Sequence, residues 1–376
     1  MINVRFKYLL ILSLALITAL YLRLSLFPNE QQISSIGKEV QSSVAEAHKN
    51  SVILFWTTVF SEKLNYQDCA DLSCVFTSNR SLLSQADAVI FHGDDVRSDD
   101  LPKRATDDQL FVFWTMESSL WAIANEGKPR FSSQPKSFYN LTMTVSSDSD
   151  VHHPYGGFWL KPEIAVAKHF APADLNFDDT AFNWDRKKAI FWLVSNCKTP
   201  SKRELAVKRL SRFVPVHMAG QCSKTHTACP GDCDKRIADY YFYIAIENTV
   251  CNDYITEKYW NRYSYLSVPI VMRRRTYQDR IPDGSFIAMD DFASPEEMGA
   301  HLNHLMKNRT AYLEYFQWRK RGWARAFNAD GYRLGPCSLC DQLLKKTVKP
   351  KLYTDVNDWY IKALKCEHDE FVKGWK

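Results

Sequence analysis

The sequence predicts an α/β protein built as two Rossmann-like domains facing a cleft. Three observations carry that expectation. Short β-branched and aromatic runs alternate with polar or helical stretches. The alternation occurs in two separate series, one starting at residue 51 and the other at 188, with a break at 176–186. The length of 376 residues exceeds one ordinary domain and suits two of about 150 each.

The first series opens with residues 51–60 (SVILFWTTVF), a continuous apolar run of the kind that forms a strand buried on both faces. Similar runs stand at 86–92 and 110–115. The second series begins with a strand at 189–194 (AIFWLV) and the turn SNCKTP at 195–200. A helix follows, with Ala206, Leu210 and Phe213 spaced to share one face. Residues 214–218, 241–246, 269–272 and 286–289 read as further strands. Helices are expected at 254–266 and 295–307, the latter with Met298, Leu302 and Leu305 on its buried stripe.

Ahead of the first series, Arg5 and Lys7 precede an apolar run from Tyr8 that continues past Arg23 to Phe27. No A-x-A cleavage site follows, so the run reads as an uncleaved signal-anchor with a cytoplasmic N-terminus. The expected plan is a tail at 1–7, a transmembrane helix at 8–27 and a polar stem at 28–50. Domains at 51–180 and 181–335 follow, then a cysteine-containing helical tail at 336–376. Sequons at Asn79, Asn140 and Asn308 agree with a lumenal placement.

Composition excludes several classes. Hydrophobic content of 45% and charged content of 24% are those of a globular protein. The formal charge of +5 is too small and scattered for a nucleic-acid footprint. All ten cysteines follow the first apolar segment, and an even number in an oxidising compartment reads as a set of disulfides. Cys69, Cys74, Cys222, Cys229, Cys233, Cys337 and Cys340 are the candidates, with pairing open. A zinc site is disfavoured, because Cys229 and Cys233 are loosely spaced and no H-x-x-x-H follows. The stretch QCSKTHTACPGDCD at 221–234 reads as a loop pinned by a disulfide rather than as a catalytic thiol.

The segment 240–272 (YYFYIAIENTVCNDYITEKYWNRYSYLSVPIVM) reads as strand, polar turn, helix and strand, and such turns hold ligands in open α/β sheets. Lys258 in the first helical turn opposes the macrodipole and calls for an anion, which a diphosphate would supply. Glu257 beside it can accept hydrogen bonds from sugar hydroxyls.

The same segment resembles the signature of the α1,3/4-fucosyltransferases, roughly F-Y-L-x-F-E-N-S-x-x-x-D-Y-I-T-E-K-L-W. Phe242, Tyr243, Glu247, Asn248, Asp253, Tyr254, Ile255, Thr256, Glu257, Lys258 and Trp260 fall on it without a gap. Ser195 and Asn196 with Arg203 resemble the family's S-N-x(6)-R element. Trp114 to Ser118 resembles its W-x-x-x-E-S-P element. Asn140 to Asp150 with Pro154-Tyr155-Gly156 resembles its N-x-T…D-S-D…P-Y-G stretch, and Cys337-x-x-Cys340 its C-terminal cysteines.

The resemblance implies a GT-B fold, with an acceptor-binding domain at 51–180 and a GDP-fucose-binding domain at 181–335. It implies inversion at the fucose anomeric carbon, with Glu117 as the base and with Arg203 and Lys258 on the leaving diphosphate. Glu257 should touch fucose; Tyr155, Ser195, Asn196, Tyr243, Asn248 and Tyr254 should line the donor pocket. No metal or other cofactor is required beyond GDP-fucose as donor substrate, though added divalent cation could stimulate turnover. The partners are GDP-fucose, a glycan acceptor on glycoprotein and the membrane, and the compartment is the Golgi membrane, single-pass type II.

Some positions depart from the family pattern: Met116, Ser119, Ser146-Ser147, Arg273-Arg274-Arg275 and the long cysteine loop. They bear on the acceptor, and the loop favours a GlcNAc of the N-glycan chitobiose core over lactosamine antennae. A silent glycan-binding relative is the reading from another class. Against it, Glu117, Arg203, Glu257 and Lys258 are all present.

Overall fold

The computed structural model describes residues 50–64, 69, 72–121, 127–173, 177–178, 180, 182, 184–185, 188–223, 233–328 and 331–376. The expected tail at 1–7, transmembrane helix at 8–27 and all of the stem but Asn50 lie outside these residues. Among the described residues no helix is long and apolar enough to cross a membrane.

The first sheet contains β1 (Ser51–Phe55), β2 (Cys74–Thr77), β3 (Ala88–His92), β4 (Leu110–Thr115), β5 (Leu141–Thr144) and β6 (Val151–His152), ordered β2-β1-β3-β4-β5-β6. Every pairing is parallel. Strands β3 and β4 are buried throughout, as their unbroken apolar runs require. A short antiparallel pair joins β7 (Phe158–Leu160) to β13 (Ala324–Ala326).

The second sheet contains β8 (Lys188–Leu193), β9 (Val216–Ala219), β10 (Tyr240–Ile244), β11 (Val268–Val271) and β12 (Ile287–Ala288), ordered β12-β11-β10-β8-β9 and again parallel. The helices that bear on the site are α1 (Arg203–Leu210), α2 (Glu257–Trp260), α3 (Pro295–Lys307), α4 (Gly335–Leu344), α5 (Val356–Leu364) and α6 (Glu370–Gly374). Helix α3 has the predicted bounds. Ser294 caps it by accepting from the Glu297 N–H at 3.1 Å, Pro295 follows at the first turn, and Met298, Leu302 and Leu305 are buried.

Three expectations are corrected. The helix expected over 254–266 is the single turn α2, because Tyr254 and Ile255 are extended into the core ahead of the Thr256 cap. Phe213 lies beyond the end of α1 and is 41% exposed, while Ala206 and Leu210 are buried as expected. The segment 336–376 is not an appended tail. Helix α4 seats Leu339 and Cys340 on one face of the first sheet, beside Ile53, Val112 and Met143. Helix α5 covers the opposite face with Val356, Tyr360 and Leu364. Helix α6 then crosses to the second core, where Val372 and Trp375 are buried and Arg209 of α1 donates to the Trp375 carbonyl at 2.6 Å.

Disulfides reinforce this crossing. Cys337 bonds Cys69 and Cys340 bonds Cys74, so each C-terminal cysteine of the C-x-x-C reaches the first domain. Cys251 after β10 bonds Cys366, and Cys197 bonds Cys222. Cys197, Cys251 and Cys366 thus join the expected set. Cys233 is also disulfide-bonded, and Cys229 lies outside the described residues.

The sequons divide by environment. Asn79 is exposed and caps a short turn by accepting from the Ser81 N–H. Asn308 caps a helix by accepting from the Ala311 N–H at 3.1 Å. Asn140 is built into the sheet: its Oδ1 accepts from the Phe111 N–H at 2.7 Å and its Nδ2 donates to the Gln109 carbonyl at 3.3 Å. A glycan on that nitrogen would compete with a bond the fold uses.

Candidate active site

In the second sheet the chain leaves β8 toward β9 on one side and reaches β10 on the other. The crevice beyond the carboxyl ends of β8 and β10 is therefore the switch point at which open α/β sheets bind ligands. Ser195 and Asn196 leave β8 there; Glu247 and Asn248 leave β10. Arg203, the first residue of α1, is 3% exposed and joins the two strand ends. Its guanidinium donates to the Ile246 carbonyl at 2.7 Å and to the Asn196 carbonyl at 3.2 Å. Its Nε is buried without a partner among the described residues. Burial draws its pKa down, and Glu247 opposes that shift. A buried cation bonded to carbonyls, at the N-terminal end of a helix, favours an incoming anion.

Lys258 stands across the same crevice, 18% exposed. Its Nζ lies 3.1 Å from Glu247, 3.0 Å from Glu257 and 2.8 Å from the Thr256 hydroxyl. Burial would lower its pKa, but the carboxylates of Glu247 and Glu257 outweigh it and hold the ammonium above its ordinary value. Glu247 is fully enclosed, accepting from the Thr256 N–H at 2.8 Å and from its hydroxyl. Burial raises its pKa and Lys258 opposes the rise. The Glu257 side chain is 48% exposed; burial of the rest would raise its pKa, and Lys258 brings it below the ordinary value.

Glu117 follows β4 at the carboxyl edge of the first sheet. Its N–H donates to the Thr115 hydroxyl at 3.0 Å, and the Tyr360 hydroxyl donates to its carbonyl at 2.7 Å. Oε2 receives Arg130 at 3.1 Å and the Tyr254 hydroxyl at 3.4 Å. Oε1 has no partner among the described residues, and the side chain is 23% exposed. Among the described residues one oxygen is tethered and the other is unpartnered, the arrangement a proton acceptor needs.

The remaining expected residues separate. Tyr155 packs edge-on against Tyr254 at 6.3 Å between ring centres, where the two domains meet. Asn248 accepts from the Ser201 N–H through its carbonyl and from the Thr249 N–H through its side chain. Tyr243 is a correction. It is buried in an aromatic core with Phe191, Tyr240 and Tyr259, so it supports the crevice from below instead of lining it. Its place on an alternating strand gave no hint of which face it took.

Glu247 and Thr256 lie inside the sequence signature and could have been chosen as the groups that neutralise and seat Lys258. Arg130, Asp94 and Tyr360 had no such signal, since each reaches Glu117 or its partner only through the fold. Elsewhere on the domain seam, a cavity of about 330 Å³ is lined by Ser147, His152, Trp159, Asp253, Trp260 and Arg280 among others; its lining includes neither Glu117 nor Lys258.

Two parallel α/β sheets meeting at such a crevice form a GT-B-like fold, the architecture of a large class of glycosyltransferases. A solved α1,3-fucosyltransferase with GDP-fucose shares it, with a TM-score of 0.53 over 81% of this chain and 93% of that one at 15% identity, a likeness of fold. The sequence model described as glycosyltransferase family 10 (fucosyltransferase) C-terminal matches residues 184–359, and that described as fucosyltransferase N-terminal matches 48–156. The α-(1,3)-fucosyltransferase fut-5 of Caenorhabditis elegans is 33% identical over 82% of this chain and 82% of its own. The C. elegans fut-1 enzyme is 37% identical over 71% of this chain and 58% of its own. Human 4-galactosyl-N-acetylglucosaminide 3-α-L-fucosyltransferase FUT5 is 32% identical over 83% and 80%. The chain belongs to glycosyltransferase family 10, the fucosyltransferases, and is a glycosyltransferase.

Proposed function

We propose that the chain moves L-fucose from GDP-fucose in α1,3 linkage, with inversion, to a GlcNAc of an N-glycan, in the chitobiose core. The observation that carries this reading is the divided Glu117 carboxylate, tethered at Oε2 and without a partner at Oε1 among the described residues, beside a crevice holding Arg203 and Lys258. In the reaction, Oε1 takes the proton from the acceptor hydroxyl as its oxygen attacks the fucose anomeric carbon. The bond to GDP breaks on the opposite side, and charge collects on the diphosphate. Arg203 and Lys258 receive that charge, and Glu257, half exposed beside Lys258, is free to accept from fucose hydroxyls.

The long cysteine loop favours the core GlcNAc. The human relative's name, which specifies a 4-galactosyl-N-acetylglucosaminide, favours lactosamine as a second reading. We further propose a Golgi type II membrane placement through residues 8–27, which the four described disulfides support because such bonds persist in oxidising compartments.

The test uses the full chain with GDP-fucose and two acceptors, an N-glycan with exposed core GlcNAc and a free lactosamine, beside Glu117→Gln. Transfer to the core acceptor that falls at least a thousandfold in the variant supports the reading. Preference for lactosamine overturns the acceptor assignment. A folded chain that binds glycan and transfers nothing identifies a silent relative.

A further inference from the structure

Arg130 is thirteen positions from Glu117 in sequence yet touches it. The segment after β4 doubles back: Trp121 N–H donates to the Lys128 carbonyl at 2.9 Å, and Arg130 N–H donates to the Ser119 carbonyl at 2.8 Å. That return lays the Arg130 guanidinium between two carboxylates. Its Nε donates to Asp94 Oδ1 at 2.7 Å and its NH1 to Glu117 Oε2 at 3.1 Å. The Trp121 ring covers one face at 4.7 Å. The side chain is largely buried, so its orientation is set on three sides.

We propose that Arg130 is the positioning residue for Glu117, tying Oε2 so that Oε1 is presented to the acceptor hydroxyl. This rests on the reading of Glu117 as the base. A planar guanidinium bonded through two different nitrogens cannot rotate without breaking a bond, so it limits rotation of the carboxylate it holds. Asp94 supplies the fixed end of the bridge. It leaves β3, and His92 Nε2 stands 4.0 Å from its other oxygen. Tyr254 adds a second, longer tether from the donor domain. Arg130 itself does not touch the reacting atoms in this scheme. A carboxylate freed to turn would be misaligned by an ångström or so, and displacement of that size costs on the order of a hundredfold in rate.

The experiment measures steady-state transfer by the full chain for Arg130→Ala, Arg130→Lys and Asp94→Asn. Arg130→Ala is expected to lower kcat by roughly 30- to 100-fold with both KM values changed less than about threefold. Arg130→Lys keeps the charge without the fork, so its kcat should fall between the two. Asp94→Asn should lower kcat severalfold. In a Glu117→Gln background, Arg130→Ala should have no further effect on the residual rate. An unchanged kcat in Arg130→Ala overturns the proposal, as does an equal loss in the Glu117→Gln background or a rise confined to the acceptor KM. If Arg130→Ala does not fold, Arg130→Lys and Asp94→Asn decide by the same criteria. Normal transfer by Glu117→Gln would instead remove the base assignment itself, a separate failure.

Discussion

The hydroxyl of Tyr254 lies 3.4 Å from Oε2 of Glu117, so a residue leaving the second sheet touches the carboxylate carried by the first. Burial raises the Tyr254 pKa well above its ordinary value, and the Glu117 charge adds to the rise, so the phenol keeps its proton and donates. The contact couples the segment that carries Lys258 to Glu117 across the cleft. Tyr254→Phe removes only that hydrogen bond, worth about 1 kcal/mol, and should lower kcat by roughly fivefold with little change in thermal stability. Steady-state kinetics and a melting curve check it; equal kcat would show the contact idle.

Arg203 joins the ends of β8 and β10 and keeps one N–H without a described partner. Arg203→Lys retains the charge but cannot span both carbonyls. GDP affinity, measured by calorimetry, should fall about 10- to 100-fold, as expected when a fork is replaced by a point charge.

Lys258 and the enclosed Glu247 neutralise one another. Lys258→Ala leaves a buried carboxylate unpaired and should cost about 3–5 kcal/mol of unfolding free energy as well as activity. Adding Glu247→Gln removes the stranded charge, so the double variant should regain much of the stability and none of the turnover. Denaturant titration separates the two effects.

Two groups, His153 and Asp253, set how stability depends on pH. Burial pushes His153 down to about 4, and its Nδ1 accepts from the Trp114 ring N–H at 2.9 Å, which requires the neutral ring. Unfolded chains bind that proton near 6.5, so stability falls as pH drops from about 6.5 toward 4, by about 1.4 kcal/mol per pH unit at most. Asp253 acts in the same direction at lower pH. Burial would raise its pKa, but the Ser147 N–H at 2.9 Å, the Ser147 hydroxyl and Arg280 together hold it below 3.8. Its contribution is complete above that value and is lost as pH falls through the lowered one. His152, also drawn down by burial, faces the same carboxylate. Unfolding titrations of His153→Gln should lose the upper stage, and those of Asp253→Asn the lower.

Much of the architecture was readable because it is local. The residues of β4 and the full span of α3 follow from an unbroken apolar run and from a capped 3.6-residue stripe. Lys258, Glu257 and Arg203 were found through contiguous motifs. Phe213 and the long helix at 254–266 were misread for one reason. Periodicity reports that apolar side chains recur, not that a helix persists to carry them: α1 ends at Leu210, before Phe213, and Tyr254 and Ile255 are buried ahead of the Thr256 cap that starts α2.

The sequence by itself determined the α/β class, the two series of strands, the family and the charged residues of the crevice, since each depends on neighbours a few positions apart. The tertiary structure alone decided which cysteines pair, how residues 336–376 divide between two sheets, and that Arg130 holds Glu117. Those contacts join residues separated by 13 to 268 positions. A contact of that kind depends on how whole elements pack, and no local spacing records it.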